Sequence, residues 1–355
     1  MLPLITSLKA DKIQLLDIDK ELDGDKEYTS GDIKSYFKRQ IPAECGTPKY
    51  ATYFSRLDKE ICLILEKGLF QHMVRAIEIL KLTNNIPHIT RGSCGSSLVC
   101  YMLGISHVDP IRFNVSFARF LNKWRDTLPD IDFDFPHYLR DEVFLKLELN
   151  WPNQVARISN HVHWHEKSAL REAIRMVGIN KRIAKEDIHN FVKSLPKEKR
   201  ELIHKHKKEL EDTFRHYSLH CGGIVFFHDG IPEELIINRK TLSQILYDKN
   251  EISKTKQFKI DILSSKGISQ LIDISGKNID FNDCPYDEKT YKLLQDGDNI
   301  GITLAESPLM RKAMMKIKPK SIDDIALCLA IIRPAAKDAR YKNNEIDYVQ
   351  GRFNR

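Results

Sequence analysis

From Tyr53 to Leu82 apolar residues return every three or four positions, at Ile61, Ile64, Leu65, Leu69, Met73, Ile77 and Leu80. That spacing predicts a helix with one face turned to a core. NNIP ends it and an extended PHIT follows. RGSCGSS is a small-residue loop, and SSLVCYMLGI reads as a buried helix capped by Ser96 or Ser97. After a turn at VDP and a stretch containing Phe113, Phe117 and Phe120, LPDIDFDFP alternates strictly between polar and apolar, which predicts a strand. Residues 140–215 read as mainly helical, with a short extended piece at VARISNHVHW. Strands return at GGIVFF, PEELIIN and QFKIDIL, and helices over 267–330. Residues 1–50 have few periodic apolar positions and read as a partly ordered lead-in. The pattern predicts an α+β protein: a strand-rich platform in two sequence halves with a helical insertion between them.

Composition narrows the class. The chain has 355 residues, 42% of them hydrophobic, which supports a core and excludes disorder as the main state. No run approaches the roughly 18–20 apolar residues of a spanning helix, so no membrane partner is expected. The charged N-terminus is not a secretory signal. Seven scattered cysteines with no C-x-x-C pair point to a reducing compartment, read as the cytoplasm. A net charge of +7 admits a polyanionic partner without requiring one.

The chemistry lies in the strands. Asp130, Asp132 and Asp134 alternate with Ile131, Phe133 and Phe135, so three carboxylates share one face and stand about 6–7 Å apart. Like charges so placed need a positive partner. A hard divalent cation such as Mg²⁺ is the economical choice, and two such ions about 3.5–4 Å apart serve in-line displacement at phosphorus. The alternative is an acidic stripe guarding an exposed strand edge. FKIDIL places Phe258, Ile260 and Ile262 on one face, and Lys259 and Asp261 on the other. Asp261 fits beside the first carboxylates around a metal, with Lys259 neutralising a phosphate; a solvent-facing Lys–Asp pair is the alternative. The loop Arg91-Gly92-Ser93 precedes a helix, whose free N–H groups would receive a phosphate, with Arg91 adding fixed charge. It is neither a Walker loop nor a dinucleotide fingerprint.

A Gly-Ser loop before a helix, D-x-D on a following strand and a third Asp on another is the order of a polymerase-beta-like nucleotidyltransferase. The block RGSCGSSLVCYMLGISHVDPIRFNVSFARFLNKWRDTLPDIDFDF goes further. It resembles the palm of the bacterial family C DNA polymerases, the DNA polymerase III alpha subunits, with their G-R-G-S, F-x-R-F-L-N and P-D-x-D-x-D-F motifs. KSALREAIRMVG, HCGGIVFF, FKIDIL and GITLAESPLMRKAMMKIKPKSIDDIALCLAIIRP resemble later family segments in order, so the likeness spans roughly residues 50–340.

The resemblance implies a polymerase-beta-like nucleotidyltransferase palm, a helical thumb insertion and a partial helical fingers region. The implied domains are a lead-in at 1–50, palm at 51–139 and 218–266, thumb at 140–217, and partial fingers at 267–355. It implies a template-directed DNA polymerase that adds deoxynucleotides to a primer 3′-hydroxyl with two Mg²⁺ ions. Its partners would be primer–template DNA, deoxynucleoside triphosphates and a second chain completing the fingers, in the cytoplasm of a bacterial or infected host cell. Asp130, Asp132 and Asp261 match the catalytic metal ligands, and Asp134 a supporting residue. Gly92 and Ser93 match the pair that holds the triphosphate, and Lys259 the lysine that contacts it. His220 matches a histidine that shapes the palm.

The sequence also departs from the family. TRGS lacks the first Gly, KIDILSS replaces K-F-D-F-L-G-L, and RPAA replaces R-P-G-P. The first 50 residues hold no histidine and no counterpart of the phosphoesterase-like domain, and the match ends early in the fingers. The expectation is half of a split polymerase, a fragment or a compact divergent version. An inactive DNA-binding remnant and a template-independent nucleotidyltransferase are the rival readings. His161, His163 and His165 have zinc-like spacing but read better as a polar surface near the thumb. HKHKK (204–208) reads as a solvated helix face, and Lys167, Arg171 and Arg175 as a face able to touch duplex backbone.

Overall fold

Alternation in IDFDFP puts Ile131, Phe133 and Phe135 on one side of a strand, and all three are fully buried. This strand lies inside a seven-stranded sheet in a computed structural model. The structure describes residue 22 and residues 28–40, 48–124, 129–184, 186–255, 257, 259–276 and 286–332. Leu128, Phe258, residues 333–355 with the RPAA segment, and much of the 1–50 lead-in lie outside the described residues. Two compact units divide the chain, Met1–Ser264 and Ser265–Arg355.

The first unit opens with helices α1 (Ser30–Gln40), α2 (Pro48–Glu66) and α3 (Phe70–Leu82). Strand β1 (Ile89–Arg91), a 3-10 turn (Gly92–Ser96), helix α4 (Leu98–Met102) and strand β2 (Ile131–Pro136) follow. Next come α5 (Arg140–Asn150), β3 (Val155–His163), α6 (Glu166–Met176), α7 (Ile188–Ser194) and α8 (Lys197–Leu210). The unit closes with β4 (Phe214–Phe226), β5 (Ile236–Asn238), β6 (Ser243–Ile245), α9 (Lys249–Lys254) and β7 (Lys259–Ser265). Sheet order is β1-β2-β7-β4-β3-β6-β5. Late β7 thus sits between β2 and β4, bringing together segments far apart in sequence.

One sheet face carries Ile131, Phe133, Phe135, Ile224, Ile260 and Ile262 into a core shared with α1 to α5. On the other face Ala156, Ile158, Val225 and Ile245 pack with Ile252 of α9. Helices α6 to α8 close around Leu170, Ala173, Ile174, Ile188, Val192 and Ile203. The second unit contains α10 (Lys266–Ser275), α11 (Glu288–Asp296), α12 (Pro308–Ile317) and α13 (Ile322–Ile331). Its core includes Leu294, Met310, Met314, Ile317 and Cys328. Side chains of Asp287, Ser307 and Ser321 cap α11, α12 and α13.

Several elements differ from the sequence pattern. The helix expected over 53–82 is two helices separated by a turn at Gly68; the apolar spacing runs through because Leu69 is buried on the same side. Helix α1 lies within the expected lead-in and buries Ile33, Tyr36 and Phe37. The extended piece expected at VARISNHVHW is β3, but it pairs along its length with β4 inside the sheet rather than standing within a helical insertion. Strand β6 and helix α9 were not expected, being only three and six residues long.

Just before β1, His88 packs its ring 5.9 Å from both Phe133 and Phe135 and 5.2 Å from His107. Its buried Nε2 has no hydrogen-bond partner. Burial, and then the neighbouring His107, lower its pKa from 6.5 to about 3. The folded state therefore binds fewer protons than the unfolded state, and stability is lost as pH falls from about 6.5 towards 3. The loss from this residue between pH 7 and pH 5 is about 1–2 kcal/mol. Urea unfolding at both pH values should show a correspondingly shallower fall for His88→Gln; an unchanged difference would refute the assignment.

Candidate active site

The carboxylates gather where β1, β2, β7 and β4 lie side by side. Position β2 is internal, so its aspartates do not form an acidic stripe on a strand edge. Arg91 stands opposite Asp132 in the antiparallel β1–β2 pair, and Ile89 opposite Asp134. The Arg91 guanidinium crosses diagonally to Asp134, with Nη2 donating to Oδ1 at 3.0 Å and Nε pairing with Oδ2. Asp134 is buried, which raises its pKa, while Arg91 pulls it down.

Strand β7 supplies the third carboxylate. Asp261 stands opposite Gly223, and Lys259 opposite Val225. The alternative of a solvent-facing pair fails, because Lys259 and Asp261 are 6% and 9% exposed. Lys259 Nζ lies 2.5 Å from Asp261 Oδ2 and 3.9 Å from Asp130 Oδ1. Lys249, at the start of α9, reaches Asp130 Oδ2 at 3.3 Å. Asp132 has its pKa raised to about 6, first by burial and then by the charges of Asp261 and Asp130. Asp130, Asp132 and Asp261 thus form an electrostatic cluster around Lys259. As they stand, no three His, Cys, Asp or Glu side chains among the described residues are set to hold one metal ion. Lys259 is the positive charge between the carboxylates instead. The donors still suit a hard cation: all are carboxylate oxygens, and buried Asp261 Oδ1 has no hydrogen-bond partner.

Gly92 meets this cluster directly. Its φ is +83°, and a Cβ there would come 3.1 Å from Asp132 Oδ2. Ser93 is half-buried in the same turn. The following helix N-terminus is not free for phosphate, contrary to expectation. Ser97, one of the two expected caps, accepts from Cys100 N at 3.1 Å. Glu60 of α2 accepts from Val99 N at 3.1 Å and from the Ser97 hydroxyl at 2.8 Å. Arg56 binds Glu60 Oε1 at 2.5 Å and the carbonyl oxygens of Ser96 and Val115 at 2.8 and 3.1 Å. Arg91 likewise serves Asp134.

His220 lies beside Asp261, with Nδ1 3.9 Å from Asp261 Oδ1. Nδ1 accepts the N–H groups of Gly222 and Gly223 at 3.3 and 2.8 Å, so the imidazole is neutral with its proton on Nε2. The other histidines are engaged elsewhere. His161 Nε2 donates to Leu246 O at 2.7 Å, His163 Nδ1 donates to His161 O at 3.2 Å, and His165 caps α6. In α8, Lys205 and His206 reach Glu209, and Lys207 reaches Glu166 and Glu211, as on a solvated helix face.

Sequence reasoning missed Lys249 and Glu60. D-K-N-E is a capping box, formed here by Asp248 and Glu251, and read as one it would have started a helix with Lys249 in its first turn. Glu60 lies between Leu57 and Ile61 on the buried side of an amphipathic helix, and the Arg56–Glu60 spacing was its only signal.

The chain belongs to the bacterial DNA polymerase III alpha family. The family model described as the bacterial DNA polymerase III alpha NTPase domain matches residues 31–264, and the bacterial DNA polymerase III alpha subunit finger domain matches residues 265–354. An error-prone DNA polymerase of Rhodopseudomonas palustris is 27% identical over 340 residues, covering 87% of this chain and 29% of the relative. A DNA polymerase III subunit alpha of Buchnera aphidicola is 29% identical over 367 residues, covering 93% and 32%. That of Thermotoga maritima is 30% identical over 289 residues, covering 79% and 31%. The chain thus spans about a third of the length of these curated relatives.

Glu60 is fully buried and holds the turn next to the carboxylates. Glu60→Ala leaves Arg56, the Ser97 hydroxyl and Val99 N–H short of a partner. It should destabilise the chain by about 3 kcal/mol in guanidinium unfolding; a loss below about 1 kcal/mol would show that the carboxylate is not the anchor.

Proposed function

We propose that this cluster is the nucleotidyl-transfer centre of a template-directed DNA polymerase, with Asp130, Asp132 and Asp261 holding two Mg²⁺ ions. The observation that carries the reading is the meeting of Asp130, just before β2, and Asp261 of β7 around one buried lysine, with Asp132 of β2 against the Gly92 turn. When bound, the ions would supply Lewis-acid activation of a primer 3′-hydroxyl and charge neutralisation at the leaving pyrophosphate.

The chain's own groups do the rest. Asp132 and the unpartnered Asp261 Oδ1 offer oxygen ligands in a site with excess negative charge. Lys259 holds Asp261 and Asp130 together without an ion, and turns to the triphosphate when one arrives. The Gly92–Ser93 turn holds that triphosphate, because the absence of a Cβ at Gly92 lets a ligand come close to the backbone. Arg91 and Asp134 keep β1 in register with β2, so their part is supporting. His220 shapes the backbone beside Asp261.

On this reading residues 51–139 and 218–266 form the palm, 140–217 the thumb with β3 contributed to the palm sheet, and 267–355 the beginning of the fingers. The partners are primer–template DNA and deoxynucleoside triphosphates. Lys and Arg contacts to DNA phosphates make binding weaken as salt rises.

Primer extension on a recessed-end duplex with Mg²⁺ tests the reading. The 355-residue chain should add template-directed nucleotides, and Asp130→Asn or Asp261→Asn should lose at least about a thousandfold in rate. Lys259→Met should raise the nucleotide KM more than it lowers kcat. Duplex binding without extension would favour an inactive remnant, and untemplated addition a template-independent transferase.

A further inference from the structure

Strands β3 and β4 are dislocated beside the carboxylates. Arg157 stands opposite Ile224 and Ser159 opposite Leu219, so His220 to Gly223 on β4 face Ile158 alone on β3. Such a bulge takes backbone carbonyls out of the ladder. Two of them are recovered by arginine. Arg157 Nη2 donates to the carbonyls of His220 and Cys221 at 2.8 and 3.2 Å, and Arg140 Nη1 to that of Cys221 at 3.3 Å. The Arg157 guanidinium is seated 4.4 Å from the Phe144 ring centroid.

The inner side of the same bulge touches Asp261. His220 Nδ1 accepts from Gly222 and Gly223, lies 3.9 Å from Asp261 Oδ1, and Gly223 is the register partner of Asp261. The backbone here admits no side chain. A Cβ at Gly223 would lie 2.7 Å from Ile158 Cδ1 and 2.8 Å from His220 Nδ1, and one at Gly222 only 2.4 Å from Ile262 O. Arg157 itself shares the sheet face of Ile224 and Ile260, whereas Asp261 and Gly223 take the other face. It reaches Asp261 only through the bulge.

We propose that Arg157 is a positioning residue: it clamps the His220–Gly223 bulge from behind and so fixes the Asp261 carboxylate for a divalent cation. The inference rests on the reading of Asp261 as a metal ligand. A guanidinium suits the task because its plane stacks on Phe144 while Nη2 reaches both carbonyls, a seat that a flexible ammonium does not share. A cavity of about 350 Å³ flanks Arg157, lined also by Phe144, Leu219, Leu242 and Gln244. Water can therefore reach both carbonyls when the guanidinium is removed, and the variants keep their fold while losing the clamp.

The experiment is Mn²⁺ binding to the 355-residue chain, followed by the electron paramagnetic resonance of free Mn²⁺, with no DNA or nucleotide. Arg157→Gln and Arg157→Lys should each weaken binding about tenfold, as is usual when the partner of a metal ligand is lost. Circular dichroism and thermal midpoint should stay close to those of the unsubstituted chain. Amide exchange at Gly222 and Gly223 should accelerate in both variants. Loss of a nearby cation alone predicts the opposite: tighter binding for Arg157→Gln and no change for Arg157→Lys. That result, or unchanged exchange at both glycines, overturns the proposal. Asp261→Asn separates the two levels. If it abolishes Mn²⁺ binding while the Arg157 variants bind normally, the positioning role falls and the ligand reading stands. If Mn²⁺ binding is absent from the unsubstituted chain or unaffected by Asp261→Asn, both fall.

Discussion

A buried ammonium held between carboxylates constrains the rest of this structure. Taking Lys259 and Asp261 out of water costs several kcal/mol per charge, and only their close pairing offsets it. The pair faces the carboxylates of β2 only if β7 keeps its register against β4. A one-residue slip would send Ile260 into the charged cluster and Lys259 with Asp261 into the hydrocarbon around Phe133 and Ile224. The hydrophobic alternation and the ion pair thus specify the same register. Across β7, three acidic groups (Asp130, Asp132, Asp261) meet Lys259 and Lys249. Negative charge is left in excess, and burial followed by the charges of Asp261 and Asp130 raises the pKa of Asp132. A site with that imbalance favours a further cation.

What could be read from the sequence follows from how local each signal is. IDFDFP was legible because period-two alternation states both the strand and its faces within six residues. The β7 carboxylate was legible as a candidate but not as buried, because burial depends on the strands on either side, β2 and β4. Ser96 or Ser97 read as the cap of a helix, and Ser97 does cap α4. That the helix start is closed by Glu60 needed knowledge of how α2 packs, 37 positions earlier. Strand β6 is too short to show alternation. The bulge at His220–Gly223 had no readable signal, since a bulge is defined by its partner strand. The adjacent glycines of HCGG mark where the backbone must come close, not what it comes close to.

The positions of Arg91 and Glu60 change how the Gly92 turn works. A turn between a strand and a helix could bind anions with a free helix N-terminus, but here those N–H groups are spent on Glu60 and Ser97. Arg91 is likewise held by Asp134. What faces the carboxylates is the glycine backbone itself, against Asp132. On the proposed reading, selectivity for a phosphate would come from cations shared with the aspartates rather than from a helix dipole, and the affinity of the turn for an anion would be coupled to that of the carboxylates for a cation.

That coupling explains why the supports around the cluster are buried polar contacts rather than apolar packing alone. Arg56 and Glu60 fix the turn on one side of the sheet. Arg157 and Arg140, from that same side, hold the carbonyls of the bulge beside Asp261. Apolar cores tolerate small shifts in which side chains repack, whereas a guanidinium bonded to two carbonyls holds one geometry. A cluster whose carboxylates repel one another needs that directionality. Without it the carboxylates would relax apart, and the excess charge that makes the site attractive to a cation would be dispersed into solvent.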